Sequence, residues 1–156
     1  MTKLLLSVHV LAAILVVGPI AVAASLFPRY ARPSASREPD GRAAGVAALL
    51  HRICRGYAVA GMAVPVFGIA TGAELGVLTD IWLIVSLGLT AAAAAVLVLA
   101  ILPAQKSLLA LPPETAADQG RHPLAIRLTA LTGIFNLLWA VVVVLMIVRP
   151  GSTTGA

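Results

Sequence analysis

The chain has 156 residues, of which 60% are hydrophobic and only 11% charged, with a net charge of +5. An ordinary soluble domain carries about 25% charged residues, and a chain this short has too little interior to hide so much apolar surface, so a water-soluble globule is excluded. The basic residues gather beside apolar runs and not among base-stacking aromatics, which excludes nucleic acid and points to anionic lipid head groups as partners.

Four apolar runs, at 4–27, 56–73, 81–102 and 128–148, leave little of the chain over. Each meets or nearly meets the roughly 20 apolar residues that a spanning helix needs. The length allows one domain, so the expected architecture is all-α: a polytopic membrane protein with four transmembrane helices in an antiparallel bundle.

The first run begins after Lys3 and contains Ala21, Val22 and Ala23, the layout of a secretory signal. It continues through Phe27, however, and is followed by Arg29, Arg32, Arg37 and Arg42, which disfavour export of the next segment. Retention as the first membrane helix is the expectation. Gly18–Pro19 should bend it, and Phe27–Pro28–Arg29–Tyr30 places aromatic and basic groups at head-group depth. The stretch 33–42 reads as a flexible connection.

Between Gly45 and Tyr57, apolar residues recur at helical spacing beside His51, Arg52 and Arg55. This predicts an amphipathic segment at the interface, leading into a second span kinked by Pro65. Gly68 and Gly72 share one face of that span, a pattern that allows close helix packing. Cys54 reads as a small buried thiol, and as the only cysteine it forms no internal disulfide.

The third span is expected to start at Asp80, which can cap the free N–H groups, with Trp82 at the outer interface. Ala91–Ala95 permits close helix contact. Beyond the span, Leu108–Leu111 reads as a short apolar piece resting on the membrane before Pro112–Pro113. The fourth span follows Pro123 and runs to Val148, and the tail 151–156 is expected to lack order. No repeat relates the two halves, as an inverted-repeat transporter would require.

Four spans put both termini and the second loop on one side. The opposite side holds nine basic residues, namely Arg29, Arg32, Arg37, Arg42, Arg52, Arg55, Lys106, Arg121 and Arg127; the terminal side holds only Lys3 and Arg149. That asymmetry predicts extracytoplasmic termini in the cytoplasmic membrane of a bacterium. Arg29, Arg32, Arg52, Arg55 and Arg127 are the expected interfacial contacts to anionic head groups.

Polar side chains inside a bilayer are costly and so are functional candidates. Here they are His9, Ser86 and Asn136, with Thr71 and Thr90. His9 is the sharpest, because imidazole can ligate haem or a metal or relay a proton. It lies roughly 8 Å below the outer end of its helix at 1.5 Å per residue. His51 and His122 belong to the other side of the membrane, so neither pairs with His9 across one haem. The competing reading is a structural histidine bonded to Ser86 or another polar partner. Asn136 should bond across helices, and no catalytic constellation or phosphate-binding loop is present.

Ser7–Gly18, with its Ser-Val-His-Val-Leu-Ala-Ala core, resembles the opening helix of a bacterial family of integral membrane proteins classed as a domain of unknown function. Phe135–Asn136–Leu137–Leu138–Trp139, leading to Val148–Arg149–Pro150, is similar to that family's closing helix. The resemblance implies the four-span topology. The opening is also similar to copper-resistance membrane proteins and to haem-binding protoporphyrinogen oxidases, and by that likeness His9 would be a haem ligand. The oxidase pattern has a basic residue in the third span and a tryptophan where this chain has Val16.

Together these readings favour a non-enzymatic membrane subunit that packs on itself or on a membrane-complex partner through Gly68, Gly72 and the alanine-rich third helix. The alternatives are a haem- or metal-binding redox protein using His9, and a small-solute permease with Pro65, His9 and Asn136 around a central path.

Overall fold

The structure, a computed structural model, describes residues 1–31, 41–111 and 121–151. Arg32, Arg37, most of the expected 33–42 connection, Pro112–Pro113 and the tail beyond 151 lie outside the described residues. The order is α1 (Thr2–Ala31), α2 (Gly41–Ala60), α3 (Ala63–Leu75), α4 (Ile81–Ala95), a π-helix (Val96–Ile101), α5 (Leu102–Ala110) and α6 (Arg121–Val148). No strand occurs among the described residues.

These elements make four helical lengths apolar enough to cross a membrane: Thr2–Ala31, Arg42–Leu75, Ile81–Ala110 and His122–Val148. Their outer faces are apolar, with Val59, Ile81, Leu99 and Ile147 at 75%, 78%, 75% and 73% exposure. Such a surface is stable against lipid and not against water. The chain is a multi-pass membrane protein.

Each length runs past the apolar stretch that marks it in the sequence. The third shows why. Leu97, Ile101, Gln105 and Leu108 are all buried, and they recur at helical spacing on one face. That face continues into the bundle beyond Pro103, so Leu108 packs in the core and the expected surface-resting piece 108–111 is instead the end of a long helix. Likewise α2 buries Ala47, Leu50 and Cys54 and packs most extensively against α1.

Prolines account for the two irregularities. Pro65 has no N–H to bond the carbonyl of Gly61, which accepts from Val64 N at 3.1 Å instead. Helical structure is interrupted there, at Gly61–Met62, between α2 and α3. Pro103 likewise cannot bond Leu99 and its ring would crowd that carbonyl. The widened turns of the π-helix absorb the conflict, and Leu102 N–H reaches back to Leu97. Helix α1, by contrast, continues through both Pro19 and Pro28.

The core is a set of small-residue seams filled by a few large side chains. Ala24, Ala93 and Cys54 are fully buried beside Phe27, Ile101, Leu128 and Phe135. In lipid there is no hydrophobic drive between helices, so close approach across alanines supplies the dispersion contacts that hold them.

Gly76 ends α3 in the left-handed region at φ 69°, and Val77 N bonds Gly72 O at 3.0 Å. A residue with a Cβ would be strained there. Asp80 sits at the start of α4, but its carboxylate does not cap the helix. It accepts a hydrogen bond from Trp82 Nε1 at 3.0 Å, and only its backbone carbonyl serves the first turn. Arg149, just past α6, places its guanidinium 5.5 Å from the centroid of the Trp82 ring. One tryptophan thus joins the turn before α4 to the end of α6.

Candidate functional site

The site is built outward from His9, on the second turn of α1. Its Nδ1 lies 2.9 Å from the backbone carbonyl of Val64 in α3. A carbonyl only accepts, so Nδ1 carries the proton and donates. The ring rests on Gly68: a Cβ built there would meet His9 Cε1 at 3.0 Å and Nδ1 at 3.3 Å. Glycine at 68 is therefore the seat of the imidazole, one turn beyond the carbonyl it bonds. Gly72 does the same for α4 and the turn before it, where a Cβ would meet Leu83 Cδ2 at 2.8 Å and Leu78 Cδ2 at 3.2 Å.

The Gly68/Gly72 face is a close-packing seam, and the chain's own His9, Leu83 and Leu78 lie against it. Pro65 is half-buried on the same short helix. The partner of His9 is a backbone carbonyl and not Ser86, which is buried and donates to Trp82 O at 2.7 Å. Thr71 and Thr90 also donate to the carbonyl one turn back, to Phe67 and Ser86 respectively. These hydroxyls each donate to a carbonyl of their own helix.

Nε2 of His9 has no protein partner among the described residues. A histidine whose other nitrogen is fixed by a carbonyl is the arrangement that metal-ligating histidines adopt. His9 alone would hold such a group, through Nε2, and would supply a single nitrogen ligand to it. No group of three or more His, Cys, Asp or Glu side chains gathers among the described residues.

A second polar cluster was not legible in the sequence. Gln105 of α5 is fully buried. Its Oε1 accepts from His51 Nδ1 at 3.0 Å, and its Nε2 donates to Cys54 Sγ at 3.6 Å. The amide thus clamps two positions one turn apart on α2. The signal that could have shown it is the 97–101–105–108 spacing, which keeps Gln105 on a buried face.

A third set lies along α6. Asn136 Nδ2 donates to Ser25 Oγ of α1 at 3.3 Å, while Asn136 Oδ1, Thr132 Oγ1 and Trp139 Nε1 are buried without a protein partner among the described residues. Trp139 packs edge-on against Phe135, with ring centroids 6.4 Å apart.

The basic residues expected at head-group depth are placed simply. Arg29, Arg52, Arg55 and Arg127 are exposed, and Arg32 lies outside the described residues. No protein-family profile, curated protein or solved structure matches this chain.

Proposed function

We propose that the chain is a non-enzymatic membrane subunit whose contact surface is the outer face of α4. One observation carries the reading: Gly88, Ala91, Ala92 and Ala95 are exposed together on that face, and a Cβ at Gly88 would meet nothing within 4 Å. Small residues at this spacing let a second helix approach closely in lipid. The seam at Gly68 and Gly72 is occupied, so α4 takes the role assigned to both. The occupant is a second copy of the chain or a membrane partner. The bacterial family resemblance, with its four-span topology, is compatible with such a role.

The test uses neighbouring positions on opposite faces, in a Cys54→Ser background. Ala92→Cys should form an oxidative crosslink in membranes, whereas Ala93→Cys, at a fully buried position, should not. Absence of any adduct at 92 in native membranes would remove the reading.

The bundle is taken as antiparallel. In support, His9 meets Gly68 while Val16 meets Gly61, so α1 and the second length run in opposite directions. Both termini are placed outside the cytoplasm, in a bacterial plasma membrane, by the nine-to-two basic asymmetry. A phosphatase fused at Ala156 should be active and a cytoplasmic reporter silent; the reverse pattern would invert the topology.

A second reading rests on the free Nε2 of His9: a haem- or metal-binding redox protein. Protein purified after expression with haem and metals supplied should then show a Soret band or stoichiometric metal that His9→Ala abolishes while remaining folded. A clean, metal-free wild-type spectrum would dismiss it.

A further inference from the structure

We propose that α2 carries a binding site for one anionic phospholipid, with the phosphate at Arg52 and an acyl chain along Ile53, Gly56 and Ala60. These residues and Tyr57 line a shallow groove of about 300 Å³ on the outer surface of the bundle. The groove exists because Gly56, between Arg52 and Ala60, carries no side chain: it is exposed, and a Cβ there would meet nothing within 4 Å. Small Ala60 keeps the inner end low.

The chemistry along the groove is graded. Arg52 stands at one end, exposed, and no acidic side chain of the described residues pairs with it. The described acids are Glu74 and Asp80, and Asp80 is engaged with Trp82. From Arg52 to Ala60 the floor is apolar. That distance is about 12 Å at 1.5 Å per residue, less than half of the roughly 30 Å hydrocarbon core. The groove therefore serves one leaflet, with its cation at the head-group end and its apolar length pointing into the membrane. A zwitterionic lipid would fill the apolar part equally well but would set its own cation against Arg52. A negatively charged head group complements it, and Tyr57, 38% exposed, lines the same groove with an aromatic ring.

The test is native mass spectrometry of the full chain from detergent holding equal phosphatidylglycerol and phosphatidylcholine of matched chains. Wild type should retain one phosphatidylglycerol in preference to phosphatidylcholine. Arg52→Gln should lower that retention about fivefold, the effect of one interfacial cation, and erase the preference. Gly56→Leu should lower retention of both lipids, because it fills the floor while suiting a helix. Arg127→Gln should retain phosphatidylglycerol as wild type does. Equal retention of the two lipids by wild type would overturn the site. So would a loss with Arg127→Gln as large as with Arg52→Gln, which would mean diffuse charge. A change of oligomeric state in Gly56→Leu with lipid retention intact would overturn it too, by showing that the groove seats a second copy.

Discussion

Gly68→Leu is expected to destabilise the bundle by about 2–4 kcal/mol, the sum of overpacking a filled seam and losing the His9–Val64 hydrogen bond. The cause is specific. The new side chain occupies the space where His9 Cε1 now lies, 3.0 Å from the position of a Cβ. Gly68→Ala makes the sharper test, because its sign depends on His9. In the wild type the methyl group pushes the imidazole off its carbonyl and lowers stability. In His9→Ala the same methyl meets no ring, and the gain from replacing glycine inside a helix, up to about 1 kcal/mol, should raise stability. Unfolding in mixed micelles of graded denaturing detergent would measure all four members of the cycle. Additive effects would mean that His9 and Gly68 are not seated on each other.

The second large effect concerns Gln105. Gln105→Ala removes a fully buried amide, opens a cavity and leaves His51 Nδ1 without its acceptor. The expected cost is about 2–4 kcal/mol. Gln105→Leu keeps most of the volume and should cost less, about 1–2 kcal/mol, since only the hydrogen bonds are lost. Cys54→Ala should cost least through this network, because sulfur is a weak acceptor and its contact with Nε2 is long at 3.6 Å. The ordering Gln105→Ala, Gln105→Leu, Cys54→Ala is the readout. A Gln105→Leu variant as stable as wild type would mean that the amide clamps nothing.

His9 shows how a structural reading and a ligand reading coexist at one residue. Bonding to Val64 stabilises the contact of α1 with α3, and the same bond leaves Nε2 without a protein partner among the described residues. The Gly68 variants report on the first role and the spectrum of the purified protein on the second. The two are separable, since a cofactor lost with folding intact belongs only to the second.

Much of the architecture was written in the sequence, and for a simple reason. In lipid every backbone polar group must be bonded internally, so an apolar run near 20 residues has little choice but helix. The four lengths, the interruption ahead of Pro65 and the exposed arginines at the helix entries follow from that constraint and from local chemistry. His9 and Asn136 also announced themselves, because polar groups are conspicuous in apolar runs.

What the tertiary structure decided is who meets whom. The sequence could mark Gly68 and Gly72 as a packing face, but not that His9, Leu83 and Leu78 of the same chain cover it. It could place Asp80 at a helix start, but not that the Trp82 indole would take its carboxylate. Gln105 lay hidden because hydropathy falls at Pro103–Lys106, while the helical face carrying it continues into the bundle through a π-helix. Hydropathy reports the solvent that each segment prefers, which is local and additive. Partners depend on the rotation and depth of helices relative to one another, and those are fixed only when all four lengths pack together.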